Sequence, residues 1–167
     1  MKDAPAGTAR TEIGEELPQG MERRLVLRLL AHWRQLCDDR EFPSFADVDP
    51  DDMADMWPHC FVIEIFEDDS EPVFRALGDD LAATIDDSLI DQGITIAEEG
   101  TLPSVAITFL AEVLRKGVPV SRGDEFFKPD GTHVLYRSIL LPMSDDGDRI
   151  SGILGAVNCR EVSPEDH

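Results

Sequence analysis

Apolar residues recur along this chain at two spacings, and the spacing assigns the elements. In MERRLVLRLLAHWRQLCDD, Met21, Leu25, Leu29, Trp33 and Leu36 fall three or four apart, and Val26, Leu30 and Cys37 widen the stripe. That spacing predicts an amphipathic helix with a broad apolar face. In the segment after it, Pro43 argues against helix. Asp49 followed by Pro50 predicts a helix start, a carboxylate N-cap and then a proline where no amide donor is needed. Asp51 and Asp52 suit the positive end of the helix dipole. A short helix over residues 50–56 is expected, with Met53 and Trp57 turned inward. CFVIEIFE alternates in part and is β-branched and aromatic, so it predicts a strand. A polar turn over 67–71 leads to a second strand, PVFRALG, and the two make an antiparallel hairpin. Gly78 ends it, and GDDLAA reads as one helical turn. Over 84–100, Ile85, Leu89, Ile90, Ile94 and Ile96 are interrupted by Gly93 and acids, which predicts short helices and loops.

TLPSVAITFLAEVLRKG predicts one long helix. Thr101 caps it, Pro103 lies in its first turn, and Leu102, Val105, Ala106, Phe109, Leu110 and Val113 build its apolar face. Arg115 and Lys116 meet the negative end of the dipole, and Gly117 supplies a left-handed stop. Strands are expected over 118–127, 132–141 and 149–159. KPDG joins the first two as a type I turn, and LPMSDDGDRISGILGAV closes a hairpin through 144–148. Residues 1–19, rich in Ala, Gly, Pro, Thr and Glu without periodicity, read as a mobile acidic tail, and 163–167 as a second tail. The domain is expected over 20–162.

The order is helix, short helix, two strands, short helices, a long helix and three strands. It predicts an α+β fold in which the helices between the hairpin and the three-stranded meander cross one face of the sheet. From about Met21 to Val162 the chain resembles the single-domain bacterial PAS family with a tryptophan-bearing N-terminal helix. The residues that carry the resemblance are AHWRQL, FPSFADVDP, FRALGDDLA, TLPSVAITFLAEVL and LYRSILLPMSDDGDRISGILGAV. It implies a PAS-like five-stranded antiparallel sheet cupping a small cavity under crossing helices. It also implies sensing of ligands, redox state or partners, and dimerisation through the helix before the first strand.

Charge narrows the partners. With 35 acidic and 15 basic residues the net charge is −20, so phosphate backbones and anionic lipid surfaces repel the chain. Nucleic acid and membrane are not expected as partners; a basic partner protein is compatible. The acidity also suits solubility or raised salt. Arg23, Arg24, Arg28 and Arg34 put much of the scarce positive charge on the first helix, which is expected to lie against its own body or a second copy. No apolar run reaches the length of a membrane span, and the first residues lack the apolar core of a signal peptide. A cytoplasmic location is expected. Cys37, Cys60 and Cys159 form no CxxC, which argues against structural zinc and for buried thiols in a reducing compartment.

The remaining chemistry is sparse. Asn158-Cys159-Arg160 echoes the flavin-linking cysteine motif of light-sensing PAS domains, but it ends the last strand instead of lying on a helix, so Cys159 reads as an inert thiol. A haem needs an axial ligand facing the cavity. None of His32, His59, His133 and His167 falls in or before the crossing helix, and His59 and His133 come nearest. No cofactor is expected, neither haem nor flavin. The doublets Asp51-Asp52, Asp79-Asp80 and Asp86-Asp87 read as caps or solvated acids, without an EF-hand loop, so no metal is expected. There is no GxSxG, HExxH or phosphate loop, and His133 and Ser138 point to opposite faces of one strand.

Arg75, Tyr136 and Arg137 are polar or charged within otherwise apolar strands. Paired with Glu64 or Asp124 at the sheet surface, the arginines are structural. Aimed into a cavity, one would anchor an anionic or carbonyl-bearing ligand. The candidate ligand-binding set is Trp57, Arg75, His133, Tyr136, Arg137 and Ser138. The candidate dimer or packing helix presents Leu25, Leu29, Trp33 and Leu36. The expected function is a non-catalytic sensory module that binds a small molecule, docks on a signalling protein such as a histidine kinase, or forms a homodimer. The alternatives are a small α+β enzyme using Tyr136, Ser138 or an aspartate, and a ligand-free interaction domain.

Overall fold

Residues 12–13, 24–68, 70–85, 88–97 and 99–162 are described by the computed structural model of this chain. Five antiparallel strands form its centre: β1 (Cys60–Glu64), β2 (Val73–Leu77), β3 (Val120–Phe127), β4 (His133–Met143) and β5 (Gly152–Glu161). They lie side by side in the order β3, β4, β5, β1, β2. The last strand is therefore central, paired with β4 on one side and β1 on the other. β1 and β5 are apolar on both faces because both faces of the sheet are covered.

Alternation along the strands sorts the side chains into two cores. On one face Val62, Ile139, Leu141, Met143, Leu154 and Ala156 pack against Leu25, Leu29 and Trp33 of α1 (Arg24–Cys37). On the other, Phe61, Ile63, Leu140, Ile153 and Val157 pack against Leu81, Leu110 and Val113 of the crossing segments. Fully burying one such side chain stabilises the fold by roughly 1.5–3 kcal/mol. The helix expected behind the sheet thus packs within its own chain. Its Trp33 indole N–H donates to the Pro142 carbonyl at 2.9 Å. Arg28 donates two hydrogen bonds to Asp55, at 3.0 and 2.8 Å. Leu25, Leu29 and Trp33 are buried against the sheet, Leu36 is half-buried, and Leu27 is exposed.

Three expectations need correction. The long crossing helix is two helices, α3 (Leu102–Ala106) and α4 (Leu110–Lys116). Ile107 and Phe109 leave helical geometry (ψ 10° and 25°), and the Thr108 hydroxyl donates to the Val105 carbonyl. A β-branched pair whose hydroxyl competes for a backbone acceptor weakens the helix there, and the break lets Phe109 bury itself. Gly117 ends α4 in the left-handed conformation (φ 69°), as its position predicts. The helix expected over 50–56 is two 3-10 segments, Pro50–Asp52 and Ala54–His59. Asp49 caps the first by accepting from the Asp51 amide. Ala54 (φ 51°) redirects the chain between them, so that Met53 and Met56 both reach the core. Finally, Glu12–Ile13, within the expected tail, pairs in parallel with Val120 and Ser121 at the β3 edge. The rest of residues 1–19, Met21, Arg23, the Asp86-Asp87 doublet and residues 163–167 lie outside the described residues.

α2 (Asp79–Ala82) is the expected single turn after β2. KPDG closes as expected, with the Gly131 amide donating to the Lys128 carbonyl at 2.8 Å. Among the described residues no helix is long and apolar enough to cross a membrane.

One close approach in the sheet centre is tested directly. Gly155 faces Phe61 in the β5–β1 register, and a Cβ there would lie 2.3 Å from the fully buried ring. Gly155→Ala is expected to destabilise the fold by about 1–3 kcal/mol, read as a lower urea midpoint, with partial recovery in the double variant carrying Phe61→Leu. An unchanged midpoint for G155A would show that the ring gives way freely.

Candidate functional site

The chain leaving β2 builds a roof over one end of the sheet. Gly78 sets its start. Its amide donates to the Cys60 carbonyl at 2.8 Å, and a Cβ would stand 2.1 Å from the Trp57 carbonyl oxygen, so only glycine passes this close. α2 then drops Leu81 into the core. The Thr84 hydroxyl donates to the Leu81 carbonyl, which turns the chain outward. Residues 89–95 come back alongside β2. The Asp91 amide donates to the Phe74 carbonyl (2.7 Å), the Phe74 amide to the Gln92 carbonyl (3.1 Å), and the Ile94 amide to the Pro72 carbonyl (2.9 Å). The otherwise open edge of β2 is thereby covered. Two polar contacts reinforce it: Thr95 donates its amide to the Glu71 carboxylate (2.6 Å), and Arg75 bridges Glu64 and Asp91, both at 2.7 Å.

Between this roof and the sheet lies a cavity of about 810 Å³, within the size range of small-molecule sites. Its floor is Phe126, Val134 and Cys159, one each from β3, β4 and β5. Its roof brings Ile85, Leu89, Ile96 and Ala97, with Thr84 and Gln92 as neutral polar groups, and Leu102 from the start of α3. Lys128 and Pro129 stand at its rim. The Lys128 ammonium holds a hydrogen bond to Glu161 at 2.7 Å, which raises its pKa. Burial pushes the Cys159 thiol up, while nearby Lys128 pulls it down. By contrast Cys60, sealed under the sheet with its thiol on the Met56 carbonyl, is pushed up to about 12 by burial. Among the described residues no cluster of His, Cys, Asp or Glu is arranged to hold a metal ion.

The six residues proposed from the sequence are dispersed. Tyr136 and Ser138 share the roof-side face with Val134 but sit deeper along β4, and neither is among the cavity's described lining residues. Burial raises the Tyr136 phenol, Asp124 adds to that, and a hydrogen bond with Thr108 opposes it. Arg75 is exposed on β2 in its two ion pairs. Arg137 is buried and, by alternation, on the α1 face. His133 starts β4 on that same face, stacked on Phe127 with ring centroids 4.7 Å apart and hydrogen-bonded to Glu125. Trp57 is half-buried against the α1-side core. His59 pairs with Asp80 at 3.5 Å, and His32 is half-buried on α1. What reading the sequence missed is that residues 84–85, 88–97 and 99–100, from an aperiodic stretch, supply the roof. Its scattered Ile and Leu were visible, but no spacing rule says which way a loop's side chains face.

The sequence profile of the PAS domain matches residues 21–158. No curated protein matches the chain. Solved structures of similar fold include the light state of the LOV domain of the blue-light photoreceptor Aureochrome1, at 15% identity over 68% of this chain and 86% of that chain, with a TM-score of 0.45. The LOV domain of a blue-light-activated histidine kinase from Erythrobacter litoralis is 14% identical over 62% of this chain and 96% of that chain, with a TM-score of 0.42. An RNA-binding light-oxygen-voltage receptor is 12% identical over 88% of this chain and 37% of that chain, with a TM-score of 0.43.

The Glu71–Thr95 contact gives the roof a measurable tether. Hydrogen bonds from the Thr95 hydroxyl and, second, the Thr95 amide hold the Glu71 carboxyl below the ordinary glutamate range. The tether is therefore fully present above that range and is lost as pH falls through the lowered value. Glu71→Ala is expected to reduce amide-exchange protection at Thr95 several-fold while leaving β4 and β5 amides unchanged. In the parent protein, acidification should produce the same local loss. Equal loss across the whole sheet would mean that the contact is not a local tether.

Proposed function

Because this chain belongs to the PAS domain family, we propose that it is a non-catalytic sensory module whose input is a small molecule held in the cavity between the sheet and the roof of residues 83–85, 88–97 and 99–102. The single observation that carries this reading is the contrast between the two faces. The α1 side is closed by contiguous apolar packing, whereas the roof side leaves about 810 Å³ lined chiefly by apolar and neutral groups. The roof is tied to β2 by a few backbone bonds and two exposed carboxylate contacts. A ligand that binds better under one roof arrangement than another shifts the balance between them, by no more than that difference in affinity.

In this reading the output is docking on a signalling protein, of which a histidine kinase is one kind, in the cytoplasm. The docking unit is one copy or a homodimer. The net charge of −20 favours a partner with a basic face and speeds their encounter at low salt.

Native mass spectrometry of freshly purified protein tests the input step. A non-covalent added mass, released on denaturation, is expected for the parent protein and absent from Ala97→Trp, whose side chain fills the cavity. The urea midpoint should stay close to that of the parent. The same added mass on both proteins, or none on either, together with identical thermal shifts across a panel of small molecules, would overturn the proposal.

A further inference from the structure

We infer that the cavity is shaped for an amphipathic monocarboxylate, with its apolar body between roof and floor and its carboxylate at the rim on Lys128. This rests on the sensing proposal above and narrows its ligand class. The chain carries 35 acidic residues against 15 basic ones. Yet among the described lining residues none is acidic, and the one charged group is Lys128. The body of the site, built from Ile85, Leu89, Ile96, Leu102, Phe126 and Val134, rewards apolar surface. A ligand charge therefore belongs at the rim.

Lys128 is set up to receive it. Its backbone is held in the turn after β3 by two hydrogen bonds, from its own amide to the Thr132 carbonyl and from the Gly131 amide to its carbonyl. Its ammonium reaches Glu161 at the end of β5 at 2.7 Å, and its charge bears on the Cys159 thiol in the cavity floor. The ammonium's partner Glu161 has a side chain that is 59% exposed, and that of Lys128 is 41% exposed. Such an open ion pair is weak and exchangeable, so a carboxylate arriving with a buried apolar body can take Glu161's place. A phosphate-bearing ligand fits less well. It brings close to two negative charges to a single lysine on a strongly acidic protein, and phosphate sites gather several donors.

The three thiols supply a located readout. Cys159 lines the cavity and is exposed, whereas Cys37 and Cys60 are buried. Iodoacetamide alkylation of Cys159 in the folded full chain, mapped by mass spectrometry, is followed with and without decanoate or 1-decanol. The two probes share an apolar body and differ in charge. Protection is scored as the ratio of rates with and without probe, since removing Lys128 alters the thiol itself. Decanoate is expected to protect Cys159 at a concentration about tenfold lower than decanol. Lys128→Met should erase that difference and Lys128→Arg should keep it, with both variants melting as the parent does. Equal protection by the two probes in the parent protein, unchanged in K128M, would overturn the carboxylate assignment while leaving a ligand cavity in place. Protection by neither probe would also overturn it, and the bound-mass comparison with A97W would then decide the sensing proposal separately.

Discussion

The antiparallel pairing of β5 with β1 holds this molecule together. It joins residues about ninety positions apart in sequence, Cys60 with Ala156 and Glu64 with Gly152 among them, and makes one layer of a hairpin and a three-stranded meander that would otherwise stand separately. An isolated hairpin is marginal in water. Joined, the strands present two broad apolar faces, and each must be covered. Phe61 lying over Gly155 shows how tight the junction is. The rest of the architecture consists of the two ways in which the chain covers those faces.

The coverings differ in kind. α1 is a regular helix with one apolar stripe, and it seals its face by side-chain packing, with the Trp33–Pro142 bond fixing its height over the sheet. The opposite face is covered by short pieces: α2, residues 88–97, α3 and α4. Short pieces cannot present a continuous stripe. α4 is nevertheless well held, with Glu112 accepting from both Lys116 and Arg122 and with Phe109 under the Arg122 guanidinium. Residues 91–94 are held mainly by their backbone along the β2 edge. Close packing therefore gives way to a cavity at that end of the sheet.

Buried polar groups follow the same division. Ser121 is fully enclosed and donates to the Ser138 carbonyl across the β3–β4 pair, which satisfies its hydroxyl inside the sheet. The exposed arginines instead hold surface elements in register: Arg28 joins α1 to the Asp55 turn, Arg40 joins the end of α1 to Asp47, and Arg75 joins β2 to the roof. In a chain so short of positive charge, each placement links two elements that are separate in sequence.

α1, the five strands, the KPDG turn, the Asp49-Pro50 cap and the Gly117 stop were all legible in the residues, because each depends on neighbours within a few positions. The alternation that places Tyr136, Ser138 and Leu140 on one face and Arg137 and Ile139 on the other was legible for the same reason. So was the element order behind the fold, since an order can be counted along a chain. The break between α3 and α4 was not, because the apolar spacing runs unbroken from Val105 and Ala106 to Phe109 and Leu110, and the burial of Phe109 against the sheet decides where the helix yields. Nor was the cavity. Ile85, Ile96, Val134 and Cys159 meet across more than seventy positions of sequence through the return of the chain along β2 and the centring of β5. Arg75 was read both as an ion-pair partner and as a ligand anchor, and the proximity of Glu64 and Asp91 placed it in surface pairs. Periodicity is a local property and survives without the fold. A concave surface belongs to several segments at once and comes into being only when they are brought together.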